Sequence, residues 1–265
     1  MDDTEIKWLI ALVVTAAAAA LAWFLWDGAK PPPEPVPVEQ LAPIADAEPA
    51  EPLHPVEPLS ITPGEGELIE LPPLAESDSY FALALIDLFG PDLEPLLADE
   101  ALIDKTVATA DNLTRGRVAE KIRPLGRLPG TFVVTAAGEN GPFYLSPENH
   151  VRYDTLVNMA TGVNLDELVA TYRRFYPLLQ EAFAQLGYPD GYFNDRVVAV
   201  IDHLLATPEP EQPIRLVQPH VLFEFADPEL EALSGGQKLL IRMGPDHISR
   251  IKAVLSDFRA RIAQP

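Results

Sequence analysis

The stretch "NLDELVATYRRFYPLLQEAFAQLG", residues 164–187, decides the fold class of this chain. Its apolar residues recur every three or four positions, which is the spacing of one face of an α-helix. Asn164 with Glu167 three positions later is typical of a helix start, and Gly187 is typical of a helix end. Pro177 predicts a kink or a break within this helix. The apolar positions are Leu165, Leu168, Val169, Tyr172, Phe175, Leu179, Phe183 and Leu186.

Start and stop signals of the same kind predict further helices on both sides of this stretch. The strings "TFVVT" and "FYL" predict a small β-hairpin, and "IRLVQPHVLFEF" predicts an extended segment. Residues 75–265 are therefore expected to form one compact, mainly α domain with minor β structure. The further helices are expected at residues 77–89, 101–113, 146–160 and 192–205, from Asp227 onward, and over 248–262.

The N-terminal part of the chain has the features of a membrane anchor. Residues 8–26, "WLIALVVTAAAAALAWFLW", form a run of 19 without a charge, with tryptophans near both ends. This length is enough to cross a hydrocarbon layer of ~30 Å as a helix. A cleaved signal peptide is the alternative, but the preceding tail, residues 1–7, is acidic and the apolar run is long. The sequence thus predicts a transmembrane helix that contacts the lipid bilayer through residues 8–26.

Residues 27–74 have the composition of a linker. Proline recurs every few positions among many carboxylates, as in "KPPPEPVPVEQLAPIADAEPAEPLHPVEPLS". Such segments favour extended conformations of ~3.1 Å per residue, so a disordered tether with a reach on the order of 100 Å is expected. A proline-rich docking site for a partner is the alternative interpretation.

The orientation of the anchor rests on chain length more than on charge, because Lys7 and Lys30 balance across the span. A short tail followed by a long acidic remainder is easiest to insert with the tail inside and the domain exported. In a bacterium, this topology predicts a single-pass protein of the inner membrane with a periplasmic C-terminal domain.

The charge balance excludes nucleic acid as the main partner. The net charge of the chain is −21. Residues 1–75 hold 2 basic and 13 acidic side chains, and the remaining residues hold 17 basic and 27 acidic side chains, so both parts are acidic. Neutralising phosphates requires a clustered basic face, which such a composition does not favour.

The string "LSGGQK", residues 233–238, reads like the signature motif of ABC-type ATPases. That motif works only beside a P-loop, and the chain contains no Gly-Lys dipeptide. We therefore expect no ATP binding. Ser234 and the two glycines are better explained as a place where a helix kinks, restarts or packs closely.

Other chemistry has little support in the sequence. The five histidines are scattered without metal-ligand spacing, and no nucleophile motif is present. No cofactor, metal or catalytic residue is therefore predicted. A pair of carboxylates in a cleft, as in glycoside hydrolases, leaves no mark in a sequence and remains an alternative.

One stretch, "DNLTRGRVAEKIRPLGR", concentrates basic residues in an otherwise acidic domain. Guanidinium groups with aromatic walls suit carboxylate or phosphate groups of a polymer. The competing interpretation, which we favour, is a buried network in which the arginines pair with helix ends and with Asp111, Asp154 and Asp195. The candidate ligand-binding residues are Arg115, Arg117, Arg123, Arg152, Tyr153, Tyr188 and Tyr192.

Several long strings resemble the landmarks of an uncharacterised family of bacterial single-pass membrane proteins, catalogued as a domain of unknown function. They are "VATADNLTRGRV", "VRYD", "YPLLQEAFAQLGYPDGYFNDRVVAVIDHLL" and "FADPELEALSGGQKLLIRMG". The resemblance covers about residues 71 to 262. It implies an anchor, a proline-rich tether and a helical domain, and it implies no activity.

Two functions of different classes follow. The first is a membrane-anchored, non-catalytic envelope module whose tethered domain binds an envelope protein or polymer. The alternative is an envelope hydrolase that uses a carboxylate pair in a cleft of the helical domain.

Overall fold

The computed structural model of the chain describes residues 51–57, 71–138 and 141–263. This part is mainly helical, with a small four-stranded antiparallel sheet. Within these ranges, no helix combines the length and the apolar character that a membrane crossing requires. The transmembrane helix predicted for residues 8–26 lies outside the described residues.

The helices follow the predicted order closely. Three short 3-10 turns lie at Leu74–Glu76, Pro91–Leu96 and Glu120–Ile122. The α-helices are α1 (Asp78–Phe89), α2 (Leu102–Asn112), α3 (Glu148–Val151), α4 (Asp154–Gly162), α5 (Leu165–Gln185), α6 (Phe193–Leu205), α7 (Pro228–Glu231), α8 (Gly235–Met243) and α9 (Pro245–Ile262).

The central helix α5 starts as its sequence predicts. The Asn164 side chain accepts hydrogen bonds from the backbone N–H groups of Asp166 at 3.0 Å and Glu167 at 3.5 Å. Of the kink or break predicted at Pro177, the break is wrong, because α5 is one continuous helix of 21 residues. Pro177 lies on the exposed side, where water can satisfy the carbonyl group that loses its helical partner.

The apolar face of α5 forms the centre of the largest core cluster. Phe175, Leu179 and Phe183 pack there against Phe81 of α1 and Ile103 of α2. A second cluster joins α5 and α6 to the C-terminal end of α9, and a third joins α6, α8 and α9. Helix α6 therefore packs against α5, α8 and α9.

The sheet extends the predicted hairpin. Strands β1 (Val134–Ala136) and β2 (Phe143–Leu145) pair in antiparallel fashion, which confirms the hairpin. The predicted extended segment forms β3 (Arg215–Val217) and β4 (Glu224–Phe225), and β3 pairs with β2 to give the order β1-β2-β3-β4. The buried face of the sheet covers Ile241 of α8.

Two details differ from the sequence analysis. The helix expected over 146–160 is divided into α3 and α4 at Arg152 and Tyr153. Residues 51–57 and Leu74, which fall in the predicted linker, contact the domain: Leu53 and His54 are hydrogen-bonded to Asp195, and Leu74 is buried in the core.

Candidate functional site

The basic stretch is organised around one buried carboxylate. Asp111, in the last turn of α2, is only 2% exposed. Its Oδ2 accepts from Arg115 Nη2 at 2.8 Å and from the Tyr188 hydroxyl at 3.4 Å, and its Oδ1 accepts from Arg196 Nε at 2.8 Å. Arg115 also donates to the Tyr188 oxygen at 3.2 Å. A buried carboxylate requires such partners, because an unpaired charge in the interior is costly.

Arg196 is the residue of this network that the candidate list omits. Its Nη2 donates to the Asp111 carbonyl at 2.6 Å and to Thr114 Oγ1 at 2.8 Å. It thereby ties α6 to the C-terminal end of α2, where a positive charge also interacts favourably with the helix dipole. The signal for this pair in the sequence is weak. An acid in the last turn of a helix, such as Asp111, predicts a basic partner, but the sequence does not indicate which basic residue it is.

The remaining candidate residues are not joined to this network by any described hydrogen bond. Arg123 donates to the Val118 carbonyl at 2.9 Å, and Arg152 donates to the Pro129 carbonyl at 3.2 Å. Arg117 is exposed, while Tyr153 and Tyr192 are half-buried at the N-cap positions of α4 and α6. Of the seven candidates, only Arg115 and Tyr188 are brought together on a shared partner in the described ranges.

The expected pairing of arginines with Asp154 and Asp195 is wrong for the contacts that the structure describes. Asp154 Oδ1 lies 3.0 Å from His247 Nε2. Both Asp195 oxygens accept from backbone N–H groups of Leu53 and His54. The network interpretation thus holds for Asp111 alone.

The "LSGGQK" string forms the start of α8. Ser234 Oγ accepts from the Gln237 backbone N–H at 3.2 Å, and Gln237 Oε1 accepts from the Ser234 N–H at 3.4 Å, which is a capping box. The N–H groups of Gly235 and Gly236 donate to the carbonyls of Arg115 at 2.6 Å and Leu113 at 3.0 Å. The first amides of the helix are therefore bonded within the domain.

Gly236 confirms the interpretation of close packing. A Cβ atom at this position would lie 2.7 Å from Leu204 Cδ2 and 2.8 Å from the Leu113 carbonyl oxygen. The adjacent Ser234 Oγ lies 2.9 Å from His203 Nε2. The motif therefore joins α8 to α6 and to the end of α2.

Two histidines meet where α8 joins α9. His247 Nδ1 lies 3.0 Å from the Met243 carbonyl oxygen, and the His150 ring packs against Gly244. Burial, aided by the charge of His247, lowers the pKa of His150. Among the described residues, no group of three or more His, Asp or Glu side chains has the arrangement of a metal site.

An open cleft of about 600 Å³ lies between α1 and α5. Tyr80 and Leu83 line it from α1 with 43% and 67% of their surface exposed. Its polar lining is formed by Asp87, Glu167 and Arg174, as well as Thr171. The cleft therefore combines exposed apolar surface with charges of both signs.

A comparison with protein families confirms the resemblance to a domain of unknown function, over a shorter range than the expected residues 71 to 262. The model of a family described as "Protein of unknown function (DUF3014)" matches residues 102–259, more than half of the chain. The chain belongs to this family. The match begins at α2 and ends within α9, so α1 and residues 51–57 precede the part of the chain that the DUF3014 model covers. No curated protein and no solved structure matches the chain.

Proposed function

We propose that this DUF3014 protein is a membrane-anchored, non-catalytic binding module. Residues 8–26 hold it in the lipid bilayer of a bacterial inner membrane, and the proline-rich segment tethers the helical domain on the periplasmic side. The domain binds an envelope protein or polymer. The uncharged 19-residue run and the long acidic remainder support the anchor and its orientation.

The observation that carries the binding function is the cleft between α1 and α5. Leu83 and Tyr80 keep much of their apolar surface in water although Phe175, at the same cleft, is almost fully buried in the core. Exposed apolar side chains in a concave surface with a few charged neighbours are typical of a binding site. Arg174 and the two acids supply groups that can orient a polar partner.

The alternative function, an envelope hydrolase, is supported by Asp87 and Glu167 lining the same cleft. Two features favour binding over hydrolysis. Glu167 Oε1 accepts from Asn164 Nδ2 at 3.1 Å, so this carboxylate takes part in the cap of α5. Both acids are also exposed, whereas the general acid of a glycosidase is typically enclosed by apolar side chains.

The test is capture of a partner from native membranes by the full chain and three variants. We expect Leu83→Glu and Tyr80→Ala to lose the captured partner, because both remove apolar surface from the cleft. Val221→Glu is the matched control, since Val221 is 85% exposed and does not line the cleft. Equal capture by all variants would exclude the cleft. Glycan cleavage that is lost in Asp87→Asn and Glu167→Gln would establish the hydrolase instead.

The topology has its own test. Protease added to intact spheroplasts should digest the helical domain, and high salt should leave the chain in the membrane fraction. Digestion only after lysis would reverse the proposed orientation.

A further inference from the structure

Residues 51–57, "EPLHPVE", lie against the domain as a peptide strand without regular secondary structure, and the backbone bends at Leu53 and His54. Pro52, His54 and Val56 are half-buried, whereas the residues between and beside them are exposed. Alternate side chains of the segment therefore face the surface that holds it.

The domain binds this strand through its main chain. Asp195 Oδ2 accepts from the Leu53 N–H at 3.0 Å and Asp195 Oδ1 accepts from the His54 N–H at 2.8 Å. Asn194 Nδ2 donates to the His54 carbonyl at 2.8 Å. The Leu53 side chain is 75% exposed, and the buried His54 Nδ1 has no hydrogen-bond partner among the described residues. Recognition at these two positions thus depends on backbone groups.

The Asn194 side chain, which bonds the strand, is held in place by hydrogen bonds within the domain. Asn194 is fully buried; its Oδ1 accepts from the Tyr172 hydroxyl at 2.9 Å, and its Nδ2 also donates to the Ile262 carbonyl at 3.0 Å. Burial raises the pKa of Tyr172 well above its usual value, so this hydroxyl remains a donor. Helices α5, α6 and α9 therefore hold the site in place without help from the strand.

The second half of the strand borders a groove of about 110 Å³. Pro55, Val56 and Glu57 line this groove together with Arg173 and Arg261. Two arginines that line the same groove as Glu57 favour an acidic residue at that position. A proline such as Pro55 costs nothing there, because no described bond uses a backbone N–H after His54.

We propose that Tyr172, Arg173, Asn194, Asp195 and Arg261 form a peptide site for acidic, proline-containing segments. Residues 51–57 are its resident ligand, and a free strand of the same chemistry displaces them. Three main-chain bonds and three half-buried side chains hold the resident strand, so it belongs to the least stable part of the domain and opens without global unfolding.

The chain itself offers a comparison strand. The tripeptide Pro-Val-Glu occurs at residues 55–57 and again at 37–39. When the two copies are aligned, Pro35 takes the position of Leu53 and has no N–H to donate to Asp195. The half-buried positions of Pro52 and His54 also change, to Glu34 and Val36. The lost hydrogen bond to a carboxylate alone corresponds to about a tenfold or larger difference in binding.

The experiment measures amide hydrogen exchange at Leu53 and His54 in the full chain. In the parent protein both amides should exchange at least about tenfold more slowly than in Asp195→Asn, because that change replaces an acceptor with an amide group. Asp190→Asn, an exposed acid in the preceding turn, is the control and should retain the protection. A parent protein with unprotected amides at these two positions would overturn the proposal.

Displacement of residues 51–57 is tested by adding free peptides at millimolar concentration. This concentration is needed because the tethered strand has an effective concentration of that order. The peptide of residues 49–59 should abolish the protection, and the peptide of residues 31–41 should have little effect. If neither peptide displaces the strand, residues 51–57 are a fixed part of the fold rather than a ligand. If both act equally, recognition does not depend on the Leu53 N–H.

Discussion

Replacing Arg196 with alanine should destabilise the domain more than any other change in the basic stretch. Asp111 Oδ1 would lose the guanidinium at 2.8 Å while its side chain stays only 3% exposed. Removing the partner of a fully buried charge costs ~3–5 kcal/mol. Arg196 is itself 28% exposed and Arg115 would still reach Oδ2, so we expect a loss of about 2–3 kcal/mol for Arg196→Ala.

The other arginines should form a graded series. Arg115 is 55% exposed, so Arg115→Ala should cost about 1 kcal/mol or less in the free energy of unfolding. Arg117 and Arg123 are exposed, and their alanine variants should stay within ~0.5 kcal/mol of the parent. In Arg115→Ala/Arg196→Ala, the loss should exceed the sum of the single losses, because Asp111 is then left without either cation.

Urea unfolding of the purified domain measures the series, with an unchanged denaturant slope as the condition for comparing midpoints. Arg196→Lys is the control, because it keeps the charge and loses the forked geometry. Arg196→Ala within ~0.5 kcal/mol of the parent would refute the network and leave the arginines free to bind a ligand. Large losses in Arg115→Ala, Arg117→Ala and Arg123→Ala together would instead exclude the ligand site that the sequence predicts.

Three further predictions concern separate parts of the domain. Gly236→Ala should cost about 1–3 kcal/mol, because its Cβ would overlap the Leu113 carbonyl, while Gly162→Ala, with open space around it, should be neutral or slightly stabilising in the same unfolding assay. Because the pKa of His150 is lowered in the folded state, unfolding takes up a proton below pH ~6.5. The free energy of unfolding should therefore fall as the pH drops toward the folded-state pKa, by at most about 1.4 kcal/mol per pH unit. His150→Gln should remove this pH dependence. Calorimetric titration with Mg-ATP should give no heat of binding, because the Gly235 and Gly236 amides are bonded to carbonyls, and saturable micromolar binding would contradict this.

Helix positions were the easiest feature to predict, because caps and apolar periodicity act over a few residues. The start of α5 at Asn164 and the start of α6 near Tyr192 are both visible in the sequence. The division between α3 and α4 is not, since no glycine or proline marks it. There Asn149 Nδ2 donates to the Val133 carbonyl at 2.6 Å, and His247 contacts Asp154, so distant partners decide the local conformation.

Long-range pairing explains the other differences. The sequence indicates β3 as an extended segment, but its pairing with β2 depends on a meeting of residues that are far apart in the chain. The sequence also does not indicate that Asp195 binds residues 51–57. Asp195 accepts from main-chain N–H groups, which leave no pattern in the side chains of the strand.

The junction between α2 and α8 has a consequence for synthesis of the chain on the ribosome. The carbonyls of Leu113 and Arg115 receive their hydrogen bonds from Gly236 and Gly235, which are translated long after them. Until those glycines leave the exit tunnel, the carbonyls of Leu113 and Arg115 have only water as a partner. A nascent chain that stops before Ser234 therefore holds an incomplete helix end, and degradation of such truncated products should begin there.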